Sequence, residues 1–281
     1  METILIPTDL SPASFKVLPL AAGLAERINS SLSLIHVMTY SANGTYPLPI
    51  DLYKEKAVKA MQDFFMKYDL KGHAHRCYVR EGKIGNCIST LTQKQPVSLV
   101  IMVNGETAGK LSCNIILNAE CPVLVLAEIA DTKEIFGITY LLDEKHFEAR
   151  SIKRVTDFAE KFRLHLTLLS ILNGKDQEKQ RKELYSALPD LTYLNVSCSF
   201  IEAGDIYGGF EKYLKENDHD VIAVDILPSW MHPFSSKKEI VKKLTDHNLP
   251  VLLFNRNKLS DKEEKTTERS ENTPKGKHSS L

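Results

Sequence analysis

What this chain of 281 residues lacks narrows its function before any motif is read. It has no excess of either charge, since 36 Lys+Arg balance 36 Asp+Glu. Nucleic-acid-binding domains carry a basic surplus and membrane-surface helices a Lys/Arg-rich face, so neither a nucleic acid nor a membrane is expected as partner. No apolar run approaches the roughly 18–20 residues that span a bilayer. The opening, Ile4-Leu5-Ile6 followed by Pro7-Thr8-Asp9, has no basic start. It also lacks the apolar stretch of about 7–15 residues of a secretory signal, so a cytoplasmic chain starting at or near Met1 is expected. The five cysteines (Cys77, Cys87, Cys113, Cys121, Cys198) are odd in number and without paired spacing, so no disulfide framework is expected. Catalytic signatures are missing as well. There is no G-x-S-x-G elbow, and Gly105 to Lys110 ends in Gly-Lys with the wrong spacing before it and Leu111 after it for a phosphate loop.

What is there is an alternation of strands and helices. Ile4-Leu5-Ile6, stopped by Pro7-Thr8-Asp9, suits a strand buried on both faces. Ser11 is placed to cap a helix with Pro12 in its first turn, and Phe15, Leu18, Ala22, Ala25 and Ile28 form its apolar face. Leu32 to Val37 follows as a second strand, which completes a βαβ unit. A helix from about Asp51 to Tyr68 is expected to bury Tyr53, Ala57, Ala60, Phe64 and Phe65. The strand His75 to Val79, a helix through Ile84, Ile88 and Leu91, the strand Leu99 to Val103, a helix around Asn114 to Ala119 and the strand Val123 to Leu126 come next. Five strands alternating with helices predict a doubly wound parallel α/β sheet.

The chain then repeats itself. At an offset of 134, Ile4 meets Ile138, Asp9 meets Asp143, Ala25 meets Ala159 and Leu34 meets Leu168. At 122, Gly82 meets Gly204, Ile84 meets Ile206 and Leu99 meets Val221; at 128, Pro122-Val123-Leu124 meets Pro250-Val251-Leu252. This predicts two tandem five-stranded domains with helices on both faces of each sheet. They cover 1–128 and 134–255, joined near Ile129 to Lys133. The charged segment 256–281 holds no apolar residue between Leu259 and Leu281 and reads as a disordered tail.

Ile4-Leu5-Ile6-Pro7-Thr8-Asp9-Leu10-Ser11 resembles the first strand and turn of universal stress proteins. Leu34-Ile35-His36-Val37 and Cys121-Pro122-Val123-Leu124-Val125 are similar to that family's second and last strands. The likeness covers residues 1–127 well and 134–255 more weakly, as a tandem form. It implies a nucleotide site beyond the carboxyl ends of the strands in members that bind ATP, with Pro7, Thr8 and Asp9 at the adenosine and Val37 beside the base. It also implies a loop G-x-x-G-x9-G-[ST] whose backbone wraps the phosphates. Both copies depart from that loop. In the first, Val103 stands at the first glycine and about seven residues are missing before Gly109-Lys110. Gly105, Gly109 and Lys110 remain as candidate phosphate contacts, with Glu106 opposing Lys110. In the second, residues 225–238 contain no glycine, and the carboxylate of Asp225 at the first glycine position is expected to repel a polyphosphate. Leu141-Leu142 replaces Pro-Thr in its opening turn.

The expectation is therefore a non-enzymatic tandem universal stress protein of the cytoplasmic stress response, working through protein contacts and requiring no cofactor. The alternative is an adenine-nucleotide sensor or weak ATPase that binds ATP in the first domain only. By resemblance to the family's dimers, the two domains pair within the chain through their last strands, leaving a homo-oligomer or another protein partner open. Three further features carry less. His73, His75 and Cys77 on one strand face would offer zinc three ligands of the right type but lack a fourth. Cys113 near a helix start is either an activated or an inert thiol. Trp230, Met231, Pro233 and Phe234 either anchor a partner or cover the vacant cleft.

Overall fold

The computed structural model describes residues 1–38, 49–70, 72–104, 109–127, 134–142, 149–172, 177–187, 195–218, 220–226 and 249–255. The first half runs β1 (Thr3–Thr8), α1 (Leu18–Arg27), β2 (Ser31–Met38), α2 (Ile50–Lys67), β3 (His75–Glu81), α3 (Ile84–Lys94), β4 (Val97–Asn104), α4 (Gly109–Asn118) and β5 (Val123–Ala127). The second runs β6 (Gly137–Leu141), α5 (Ala149–Phe162), β7 (His165–Leu172), α6 (Gln177–Ala187), β8 (Val196–Glu202), α7 (Ile206–Glu216), β9 (Val221–Ile226) and β10 (Val251–Asn255). Segment 256–281, the linker near 129–133 and the loop holding Trp230 and Phe234 lie outside the described residues.

All ten strands form one sheet in the order β3-β2-β1-β4-β5-β10-β9-β6-β7-β8. Every neighbouring pair is parallel except β5 and β10, which run antiparallel with Leu252 opposite Leu124 and flanking pairs Val251–Val125 and Leu253–Val123. Each half is a five-stranded doubly wound α/β unit, and the second repeats the first in strand order and register. Thr3 pairs with Ser31 as Gly137 pairs with His165, and Val100 pairs with Val123 as Ile222 pairs with Val251. The offsets of 134, 122 and 128 therefore hold in the hydrogen-bond ladder.

The third strand corrects the alignment. Cys77 lies opposite Leu34 and Cys198 opposite Leu168, so β3 and β8 are related by an offset of 121, and Cys198, not Ser199, answers Cys77. The extra residue of the second half is taken up in the turn that holds Ala203 and Gly204 before α7. A second correction concerns the first helix. Ser11 caps only a 3₁₀ turn, Ala13–Phe15, its Oγ accepting from the Ser14 amide at 3.2 Å. The α-helix begins at Leu18, with Pro19 in its first turn, where a missing amide proton leaves no helical bond unmade.

Both faces of the sheet are apolar across the junction of the halves. On one face Leu24, Leu99, Leu124, Ile138, Phe158, Phe162, Leu164 and Leu252 belong to one buried cluster. On the other, Val100, Val123, Val125, Ile222, Val251 and Leu253 belong to a second. Polar clamps obey the same pseudo-two-fold symmetry. The last-turn cation of α1, Arg27, donates to the Ile135 carbonyl and lies over the Phe136 ring in the other half. Its counterpart in α5, Lys161, reaches Glu2 and the Ser98 hydroxyl of the first half. Glu2 stands at the position equivalent to Phe136. Burial pushes the Glu2 carboxyl up, but the bonds from Lys161 and Ser98 outweigh it and hold the group below its ordinary value. That contribution is complete above the unfolded value of about 4.3 and is lost as pH falls through the lowered folded value.

Because both cores cross the junction, the two halves are expected to unfold together, in one urea transition followed by both fluorescence and circular dichroism. Leu252→Ala should lower stability by about 2–5 kcal/mol and keep that single transition. Two resolved transitions would show that the halves are independent.

Candidate functional site

The carboxyl ends of β1 and β2 carry the sequence-predicted contacts of the first half. Chain direction reverses abruptly after Thr8, and Leu10 takes a positive φ of 68°, rare for a residue with a branched side chain. Side chains hold that turn. The Thr8 hydroxyl accepts from the Leu10 amide at 2.9 Å and meets the Ser14 hydroxyl at 2.7 Å, while Asp9 Oδ1 accepts from the Ser11 amide at 2.9 Å. Burial pushes the Asp9 carboxyl up, but the hydrogen bonds from Ser11 and Ser14 prevail and keep it below the ordinary carboxylate value. Asp9 is exposed at this strand end while Pro7 and Thr8 are buried, and Val37, on the adjacent strand, is half-buried. Gly109 and Lys110 open α4. Gly105 and Glu106 lie outside the described residues, so of the predicted phosphate contacts only the helix start is placed.

His36 and Tyr53 join this site without having been singled out from the sequence. The His36 ring is buried, with Nδ1 3.0 Å from the Thr8 carbonyl and Nε2 3.1 Å from the Tyr53 hydroxyl. A carbonyl can only accept, so Nδ1 donates to Thr8, while Nε2 shares a hydrogen bond with the tyrosine hydroxyl. The histidine thus ties the end of β1 to α2. The only sequence signal was a polar residue at a core-facing position of an otherwise apolar strand, which is a weak one.

The same sheet face in the second half holds a different group. Asp225, at the end of β9, is buried and accepts from the Ser151 hydroxyl at 2.6 Å and from Arg154 Nη2 at 2.9 and 3.0 Å. The Arg154 guanidinium lies over the ring of Phe254, 5.9 Å from its centroid. Tyr140, at the end of β6, packs edge-on to that same ring at 6.4 Å. Burial, and next the Asp225 charge, push the Tyr140 phenol well above its ordinary value, so it stays neutral. In the first half the equivalent positions are Ile6, Val17, Leu20 and Val103, all apolar. Four apolar residues have become one connected polar network. The expected repulsion of a phosphate by Asp225 is therefore corrected: Arg154 neutralises the carboxylate, which turns under α5. The signal was available, since an arginine and a carboxylate replace apolar residues together at repeat-equivalent positions.

The histidine cluster on β3 is corrected too. The strand begins at His75, so His73 lies outside it. His75 stacks on Phe65 with centroids 4.0 Å apart, His73 faces Glu26 at 3.3 Å, and Cys77 packs on the core. Among the described residues no three His, Cys, Asp or Glu side chains come together as a metal site. Burial raises the thiols of Cys77, Cys87 and Cys198 above their ordinary value. None of the three is an activated nucleophile.

The sequence pattern of the universal stress protein family matches residues 1–127. This match covers the first half of the chain, which is similar in sequence to universal stress proteins. The whole chain is similar to the structure of a universal stress protein from Archaeoglobus fulgidus DSM 4304, at 17% identity and a TM-score of 0.69, over 91% of this chain and 98% of that one. It is also similar to a functionally unknown protein from Pseudomonas aeruginosa PAO1, at 14% identity and a TM-score of 0.57, over 95% and 97%. At these identities the likeness is one of fold, and it extends the universal stress protein fold across both halves. No curated protein sequence matches the chain. No helix among the described residues is long and apolar enough to cross a membrane.

Removing Asp225 from the Tyr140–Ser151–Arg154–Asp225 network leaves the Arg154 charge without its partner. Asp225→Val is expected to destabilise the protein by about 3–5 kcal/mol in urea unfolding. Asp225→Val combined with Arg154→Leu restores the first half's residue types and should recover most of that loss. A double variant as unstable as the single one would mean that the pair does not account for the effect.

Proposed function

We propose that the chain is a non-enzymatic universal stress protein that acts in the cytoplasmic stress response through protein contacts. Its domains are a first over 1–128 and a second over 134–255, followed by a charged tail over 256–281. The observation that carries this reading is the self-satisfied polar network at the strand ends of the second half. Ser151 and Arg154 are committed to Asp225, so the groups that a ligand would need are bonded to one another. The second loop also contains no glycine over residues 225–238, which withholds the close backbone approach that a phosphate wrap requires. Catalysis has no support in the chemistry of the first half. Both nitrogens of His36 are engaged, the Thr8, Ser11 and Ser14 hydroxyls hold a turn, the thiols of Cys77 and Cys87 are raised above their ordinary value, and Cys121 is buried.

A second reading, an adenine-nucleotide sensor or weak ATPase of the first domain only, is favoured by one feature. The Thr8-Asp9-Leu10 turn holds an exposed carboxylate, kept in its charged form, beyond the ends of parallel strands, where ligands of open α/β sheets bind. Pro7, Thr8, Asp9 and Val37 would take the nucleoside, and Gly105, Gly109 and Lys110 its phosphates.

The two readings separate in a thermal-shift series with millimolar ATP, ADP and AMP plus magnesium. A ligand at about 100 times its dissociation constant stabilises the folded state by about 2.7 kcal/mol, several degrees for a chain of this size. The proposed function predicts no shift and no phosphate release. A shift abolished by Asp9→Ala would establish the sensor instead.

A further inference from the structure

The two outer edges of the ten-stranded sheet are equivalent in register and opposite in chemistry. At one edge, residues 76–94, from β3 through the turn to the end of α3, carry four cations, Arg76, Arg80, Lys83 and Lys94, all exposed, against one acid, Glu81. Glu81 is occupied by Lys54 at 2.8 Å. At the other edge the matching stretch, residues 197–216, holds four acids, Glu202, Asp205, Glu211 and Glu216, against Lys212 and Lys215. The chain's overall neutrality therefore conceals a local basic stripe.

The stripe has order as well as charge. Side chains alternate along a strand, so Cys77 and Val79 pack on one core while Arg76, Tyr78 and Arg80 share the opposite face. Tyr78 is fixed by its hydroxyl, which donates to Gln95 at 3.2 Å, and Arg80 lies over its ring at 5.4 Å from the centroid. Arg76 and Arg80 form no ion pair with any described residue. Four residues apart on one strand, their Cα atoms are about 13 Å apart along the edge. No strand among the described residues pairs with the outer side of β3. The equivalent positions of β8 are Ser197, Ser199 and Ile201, with no charge.

We propose that β3 is a docking edge for an extended acidic segment of a partner protein, added as an eleventh strand. Main-chain hydrogen bonds to the free edge would supply affinity, and alternate side chains would supply specificity. One face of the incoming strand would set carboxylates against Arg76 and Arg80. The other would lay apolar side chains beside Cys77 and Val79. The partner segment therefore alternates Asp or Glu with apolar residues over about six to eight positions. This rests on the reading that the protein works through protein contacts and names the surface that would make one.

The test uses the full chain and a fluorescein-labelled decapeptide alternating Glu and Val, followed by fluorescence anisotropy. Three control probes accompany it: a Lys–Val decapeptide, a Glu–Val peptide with two central prolines that cannot form the ladder, and a single-stranded oligonucleotide. Binding of the Glu–Val peptide alone is expected, weakening with salt and falling at least about tenfold in the Arg76→Ala/Arg80→Ala variant. The control variant Ser197→Ala/Ser199→Ala on β8 should bind as the unaltered chain does. Equal binding of the proline or Lys–Val peptide, tighter binding of the oligonucleotide, or no binding would each overturn the proposal. So would self-association of the arginine variant in light scattering without any peptide binding by the parent, since the arginines would then be guards against edge pairing. None of these outcomes depends on nucleotide, so failure here leaves the thermal-shift result to judge the broader reading separately.

Discussion

Three antiparallel residue pairs around Leu124 and Leu252 govern the architecture. A lone five-stranded parallel sheet of this topology ends in an apolar last strand, and an exposed edge of that kind invites association. Joining β5 to β10 removes both such edges at once and makes one sheet of two. It also places α1 beside α5, so that Leu24, Phe158 and Phe162 close one core over the junction. The clamps at Arg27 and Lys161 follow from the same two-fold relation, each last-turn cation falling on the start of the other half's first strand. The last-strand edge of each half is therefore consumed inside this chain.

Once the halves share a sheet they need not share a task, and they have diverged on the face beneath α1 and α5. The first keeps Ile6, Val17 and Leu20 at the equivalent positions and places its polar groups nearer the strand ends, where His36 joins the Thr8 carbonyl to Tyr53 of α2 and Asp9 is exposed. The second moves charge inward. A buried ion pair is a poor way to gain stability relative to apolar packing, because desolvation offsets much of the attraction. Its presence under α5 is better understood as fixing the geometry of three junctions, the ends of β6 and β9 and the start of α5.

Much of the fold was legible because it rests on signals that are local and repeated. Apolar runs between turn residues located the strands, and self-similarity located the second copy, including offsets that the ladder reproduces. The errors have physical causes. The first helix was started too early because Ser11 and Pro12 do cap a turn, though a 3₁₀ one, and nothing in the local pattern tells the two apart. The third strand does not follow the offset of 122 that Gly82 and Gly204 suggest, because the turn before the next helix gains a residue in the second half, and period-two alternation makes such a slip costly. The site was less legible. Thr8 and Asp9 lie in a contiguous motif, whereas His36–Tyr53 and Arg154–Asp225 are contacts between distant elements, and only topology brings those partners together.

The β5–β10 junction is as strong as the interior of either half if both cores run through it. Amide hydrogen exchange at Val123–Val125 and Val251–Leu253 tests it most directly. These amides are expected to be among the slowest in the protein, exchanging only through global unfolding and at the same free energy as Ile4–Ile6 and Leu166–Leu168. Exchange at the junction through a lower-energy opening, with those inner strands still protected, would contradict the account and make the chain two tethered domains.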